Sequence, residues 1–190
     1  ADAKSRLVCA IVSAEYRHAM RYAKVVFFQN MEDVKVFEGL RILERDKVVL
    51  TRGSGVNVSV YPQRNFPLQM RFLFVGRLVR GKGVLDYLDA ARIVKKAHPE
   101  VCFDLVGPFD SNPTAVRPED IQPYIEEGIV DFHGEQKNVQ PFHEASSAFV
   151  LPSYYGEGTP KSALEAMATG RPLIVADAVG CREVVREGVN

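Results

Sequence analysis

The sequence has few cysteines, no long apolar run and no excess of charge of either sign. Its three cysteines, Cys9, Cys102 and Cys181, are odd in number and scattered, with no CxxC pair to mark a metal or redox site. Thiols used in this way suit a reducing, cytoplasmic setting. The longest early apolar run, "LVCAIV" (7–12), is too short to span a bilayer and has no cleavage-site pattern behind it. Neither a signal peptide nor a transmembrane helix is therefore expected. The 24 Lys and Arg balance the 24 Asp and Glu. Nucleic acid is then not the expected partner, although a neutral total is compatible with a basic cleft. No internal repeat or low-complexity tract occurs. What remains is 190 residues, 46% hydrophobic and 25% charged, the composition of an ordinary soluble globular protein.

The chain divides into two parts by its pattern. Residues 1–51 alternate helix and strand: a helical stripe in "SRLVCAIVSAEYRHAMRYAK", a strand in "VVFFQ" (25–29), a helix in "EDVKVFEGLRIL" and a strand in "KVVLT" (47–51). These elements are too few to form a sheet of their own. Residues 52–69, "RGSGVNVSVYPQRNFPLQ", are rich in Gly, Pro, Asn and Ser and read as a linker. From residue 70 to 190 short apolar strands alternate with amphipathic helices. The strands are expected at 71–76, 101–107, 129–134, 148–152 and 172–176, and the helices over 83–97, 118–127, 138–145 and 160–169, with a last turn or helix at 181–187. That rhythm predicts a Rossmann-like α/β domain, a parallel sheet with helices on both faces. Ligands of such sheets bind beyond the carboxyl ends of the strands. The chain opens in helix and ends at "REGVN" with no closing element, and so reads as a fragment.

Two strand-end segments carry chemistry. "GRLVRGKG" (76–83) nearly matches a P-loop, but Gly83 stands where a magnesium-binding hydroxyl belongs. Arg77 and Lys82 at a strand-to-helix junction suit a phosphate or diphosphate; equally, they suit a surface turn. In "PSYYGEGTPKSALEAMATG" (152–170), Gly156 and Gly158 open the loop backbone, Thr159 is the expected N-cap and Pro160 the first helical residue. Ala163, Leu164, Met167 and Ala168 form the expected buried stripe, with Glu165 off it, towards Lys161. Glu157 before the helix and Glu165 inside it could accept hydrogen bonds from hydroxyls at either end of an anion held on the helix start. They could as well be a loop acid and an i, i+4 partner of Lys161.

Resemblance separates these alternatives. The E-x7-E in "EGTPKSALEAMATGRPLIVADAVGCREVV" resembles the C-terminal domain of retaining glycosyltransferases of the GT-B fold, family 4 (glycosyl transferases group 1). "FVGRLVRGKGVLDYLDAARIV" resembles that family's GR…KG segment, "GSGVN" (53–57) its interdomain turn, and "VFFQNMEDVKVF" (26–37) the end of its N-terminal domain. The likeness runs in order over nearly the whole chain. It implies that residues 1–51 are a remnant of an N-terminal acceptor domain and 70–190 a nucleotide-sugar-binding domain. It implies transfer of a sugar, with retention, from a nucleotide donor, UDP-linked in this expectation, to an acceptor hydroxyl. Arg77, Lys82, Gly158 and Thr159 would bind the donor diphosphate, Glu157 would act at the sugar, Glu165 would hold the ribose, and Gln136 would lie near the base. No metal or other cofactor is implied, in keeping with the lack of a DxD-type carboxylate pair. The acceptor, a glycan or a polyprenyl-linked glycan as "GCRE" (180–183) hints, would be met through the rest of the N-terminal domain. A non-catalytic nucleotide- or phosphate-binding module is the alternative, and a P-loop hydrolase a third reading.

Other residues carry less. His133 and His143 pair with no acid in a way that implies catalysis, and Glu126 and Glu127 read as a solvated helix end. Arg6, Arg17, His18, Arg21 and Lys24 make the first helix basic. That fits a peripheral contact at the inner face of a membrane, or simply a wet helix face.

Overall fold

The computed structural model describes residues 3–51 and 53–189. Residues 1, 2, 52 and 190, at the margins of the three expected segments, lie outside the described residues. By its internal contacts the chain forms two compact units, Ala1–Ser54 and Gly55–Asn190.

In the first unit, α1 (Ala3–Tyr22) has no buried residue. It is followed by β1 (Val26–Phe28), α2 (Met31–Gly39), a 3-10 turn (Arg45–Lys47) and β2 (Val48–Leu50). Asn30 caps α2, its side chain accepting from the Asp33 backbone N–H at 2.8 Å. The expected helix over "EDVKVFEGLRIL" stops at Gly39, where Arg41 turns to a φ of 53°. Contrary to expectation, the two strands do form a small sheet. They pair in parallel, Val26 opposite Val48, over a core of Phe28, Val34 and Leu43.

The second unit holds β3 (Arg71–Val75), α3 (Val84–Ala97), β4 (Cys102–Val106), α4 (Pro118–Glu126), β5 (Asp131–Gly134), α5 (Gln140–Ala145), β6 (Ala148–Leu151), α6 (Lys161–Ala168) and β7 (Leu173–Val175). A 3-10 turn, Cys181–Glu183, stands where a last turn or helix is expected. The five strands are all parallel, in the order β5-β4-β3-β6-β7. The chain therefore winds outwards from β3 in one direction, then returns to the other side of β3 for β6. Right-handed crossovers place helices on opposite faces in the two halves. Consistent with this, α3 packs on α4, and α5 on α6. Leu73, Phe74, Leu105, Phe149 and Leu151 are fully buried, from neighbouring positions that face both sides of the sheet.

The expected apolar stripe of α6 is corrected. Its buried residues are Ala163, Glu165 and Ala166, while Met167 is exposed. The 55–69 stretch forms no helix or strand but packs within the second unit. Buried Arg171 donates to the carbonyls of Asn65, His143 and Glu144, and the Arg64 backbone N–H donates to the Thr169 carbonyl at 3.1 Å.

At the carboxyl end of the sheet two adjacent strands come very close. Gly107 takes a φ of 148°, and a Cβ there would stand 1.8 Å from the Gly76 carbonyl oxygen. Gly107→Ala is expected to destabilise the protein by about 2–4 kcal/mol, through backbone strain and a forced separation of β3 from β4. A urea titration followed by circular dichroism checks this; an unchanged midpoint would contradict it.

Candidate functional site

The strand order reverses between β3 and β6, and the crevice beyond their carboxyl ends is where open α/β sheets bind ligands. Both chemistry-bearing segments emerge there. One follows β3 and forms a 3-10 turn, Arg80–Lys82, before α3. The other follows β6 and leads into α6.

The two loops are tied together by their backbones. The Gly81 carbonyl accepts from the Tyr154 and Tyr155 N–H groups at 3.0 and 2.9 Å. The Tyr155 ring lies on Gly81, where a Cβ would meet Cδ2 at 2.9 Å. Gly83 turns the chain with a φ of 71°, and a Cβ there would stand 2.2 Å from the Pro152 carbonyl oxygen. Only glycine combines that backbone with that approach.

Side chains follow the same pairing. Lys82 Nζ lies 3.0 Å from Glu157 Oε2, both side chains about 15% exposed (14% and 16%). Ser153 Oγ donates to Glu157 Oε1 at 2.7 Å. Cys181 and Gly180 close the far side. A Cβ on Gly180 would stand 2.0 Å from the Gly158 carbonyl oxygen. The buried Cys181 thiol is pushed up to about 11 by burial and by the Glu157 carboxylate, with Lys82 opposing. Arg77 is more open and pairs with Asp110 at 2.8 Å, in the loop after β4. Asp110 is held below the usual carboxylate range, chiefly by the Asn112 backbone N–H, with Arg77 contributing.

On α6, Pro160 occupies the N-cap position rather than Thr159, so the helix starts at Lys161 with no side-chain cap. Thr159 is buried in the turn before it. Glu165 is also buried, although the sequence places it off the buried stripe, towards Lys161. Lys161 Nζ stands 3.7 Å from one of its oxygens and His143 Nε2 3.6 Å from the other. Burial pushes the Glu165 carboxyl up. The facing His143 ring, the Tyr61 hydroxyl and the charge of Lys161 outweigh this and leave it below its ordinary value.

Gln136 is exposed in the loop after β5 and donates to the His133 carbonyl at 2.6 Å. Strand β5 is two strands from β3, roughly 10 Å along the sheet, so Gln136 is placed at the side of the crevice. Both histidines face acids. His133 Nε2 is 2.7 Å from the buried Asp104, which Arg71 also holds, and His143 faces Glu165. Sequence reasoning missed Ser153, Asp110, Tyr61 and His143 as partners of the site. Only Ser153, one turn before Glu157 in the same loop, had a local signal. Among the described residues, no group of three His, Cys, Asp or Glu is placed to hold a metal ion.

The family profile of glycosyl transferases group 1 matches residues 69–190. The chain belongs to this family. Its second unit is a Rossmann-like domain of the kind found as the C-terminal domain of GT-B glycosyltransferases. Among curated relatives of this family member, a Campylobacter jejuni protein is 27% identical over 96% of the chain and 50% of its own length. It is named N,N'-diacetylbacillosaminyl-diphospho-undecaprenol alpha-1,3-N-acetylgalactosaminyltransferase. A Bacillus subtilis protein named as a putative teichuronic acid biosynthesis glycosyltransferase is 35% identical over 60% of the chain and 26% of its own length. Among solved structures, HepE of Anabaena in complex with UDP superposes with a TM-score of 0.76 at 21% identity. That likeness covers 94% of this chain and 52% of HepE. The chain thus spans about half the length of the first of these relatives.

Two outcomes are expected. A double-mutant cycle of Lys82→Ala and Glu157→Ala in urea should give a coupling energy of about 1–3 kcal/mol, since removing one partner strands the other half-shielded charge; additive losses would mean the pair does not form. Iodoacetamide at pH 8 should label exposed Cys9 and spare Cys181, whose thiol keeps its proton until about pH 11; mass spectrometry reads the two sites separately.

Proposed function

We propose that the chain is the donor-binding part of a retaining, metal-independent glycosyltransferase acting from a UDP-linked sugar to a hydroxyl of a glycan or polyprenyl-linked glycan. The observation that carries this reading is the pairing of Lys82 with Glu157 across the crevice between β3 and β6. It unites one cation and one acid from the two strand ends that a diphosphate-linked sugar would bridge.

In this reading the diphosphate takes the place of Glu157 at Lys82 and of Asp110 at Arg77. Backbone N–H groups of Gly158, Thr159 and the uncapped start of α6 complete the anion site. Glu157, released from Lys82, accepts a hydrogen bond from a sugar hydroxyl and fixes the sugar beside the leaving oxygen. Glu165 accepts from the ribose hydroxyls, and Gln136 lies at the base end. In the transfer the bond from C1 to the diphosphate oxygen breaks and its electron pair leaves with the diphosphate. The acceptor oxygen bonds to C1 from the side the diphosphate leaves, and its proton passes to the departing diphosphate oxygen. Lys82, Arg77 and the helix start stabilise the charge that develops on the leaving group.

UDP complexes of HepE and the undecaprenol-linked substrate in the Campylobacter jejuni relative's name support the donor and acceptor classes. The first unit is proposed as part of the acceptor domain, in the cytoplasm and peripheral to the inner membrane face. No described helix is long and apolar enough to cross a membrane. On α1, Arg17 already donates to the Leu40 and Arg41 carbonyls, so the remaining basic residues would make that contact.

Calorimetry with UDP, GDP and ADP tests the reading. UDP is expected to bind, with or without EDTA. Lys82→Ala should weaken UDP about tenfold or more, the scale of one charge-assisted contact, and leave uridine unaffected. Equal losses for UDP and uridine would contradict a diphosphate role, and loss of UDP binding in EDTA would contradict metal independence.

A further inference from the structure

His143 is fully buried, and neither ring nitrogen has a hydrogen-bond partner among the described residues. A buried polar ring left so costs stability and calls for a reason. The group it faces is Glu165, at 3.6 Å, an ion-pair distance longer than a direct hydrogen bond. Tyr61 approaches the same carboxylate from the 55–69 segment, and its ring packs edge-on against His143 with centroids 5.9 Å apart. Burial, and then the Glu165 carboxylate, push the Tyr61 hydroxyl up to about 12, so it stays a proton donor at every physiological pH.

The segment bearing Tyr61 is itself fixed. Arg171, 2% exposed, donates to Asn65 on that segment and to His143 and Glu144 on α5. Arg64 pairs with Glu144 at 3.2 Å. One buried guanidinium therefore sets Tyr61 and His143 in register on two sides of one acid.

We propose that Tyr61 and His143 are positioning residues that hold the Glu165 carboxylate aimed at the ribose hydroxyls of the donor. This rests on the ribose role of Glu165 given above. Three groups face that carboxylate: Tyr61 from the 55–69 segment, His143 from α5 and Lys161 from the first turn of α6. Lys161 is largely in solvent and its attraction is screened. The two shielded groups therefore carry most of the effect. The carboxylate is the form that accepts from a hydroxyl. Its titration is depressed, so ribose binding is present above that titration and is lost as pH falls through it. Removing either support moves the loss to higher pH.

The test compares UDP with 2′,3′-dideoxy-UDP by calorimetry in the whole chain, with the Glu165 titration followed by NMR of its side-chain carboxyl. Tyr61→Phe removes one oxygen and keeps the ring packing; His143→Leu removes the ring nitrogens; His143→Gln restores a donor. Tyr61→Phe and His143→Leu are each expected to weaken UDP about fivefold, the worth of one modest polar contact, and to leave the dideoxy analogue unchanged. Both should raise the pH at which Glu165 titrates, and His143→Gln should recover part of the loss. A Glu165 titration unmoved by both variants overturns the proposal whatever the site binds. Equal weakening of UDP and the dideoxy analogue overturns it too, since that is the mark of a structural role. Glu165→Gln separates the two layers. If it weakens UDP and the dideoxy analogue equally, the ribose role itself is wrong; if it weakens UDP alone while Tyr61→Phe and His143→Leu do not, only the positioning role falls.

Discussion

The Gly81 carbonyl is the joint on which the site depends. It accepts from two successive amides of the opposite loop, and so fixes the β3 and β6 strand ends against each other at the reversal of the sheet. Lys82 is the next residue after it and Glu157 lies two beyond Tyr155. Their meeting at 3.0 Å follows from that backbone register as much as from mutual attraction. A salt bridge in a partly shielded crevice is weak evidence for stability, because desolvation offsets much of the Coulomb gain. Held by the backbone, the pair has a geometry that does not rely on its own energy.

Glycine shapes the same place twice over. Gly83 lets the chain turn into α3 directly beneath Pro152, and Gly107 lets β4 leave the sheet against the Gly76 carbonyl. In each case the nearest neighbour is backbone, which cannot swing aside as a side chain can. The carboxyl end of the sheet is therefore packed main chain to main chain, and the functional side chains stand on a base with little give.

How much of this was legible depended on distance along the chain. The parallel sheet was readable because each buried strand is a short apolar run, and "RFLFV" or "AFVL" has no other stable use between amphipathic helices. Arg77, Lys82 and Glu157 were readable because they lie at strand ends, where the topology concentrates ligand contacts. Glu165 was misplaced at the helix edge because the stripe was counted from apolar residues alone. A buried acid breaks such a count, and only its partners, Tyr61 and His143, explain it. Those partners come from a segment with no periodicity and from another helix, so no spacing announced them. The pairing of β1 with β2 was missed for a similar reason: two three-residue strands are marginal alone, and the core of Phe28, Val34 and Leu43 beneath them makes the sheet possible.

The loop carrying Glu157 is gripped on both flanks, by Gly81 before it and by Gly180, whose α-carbon abuts the Gly158 carbonyl, after it. Its conformational freedom is thus surrendered when the chain folds, not when a ligand arrives. Recognition there can proceed by rotation of a few side-chain bonds, and the ordering entropy that ordinarily erodes the affinity of a flexible loop has already been subtracted from folding stability.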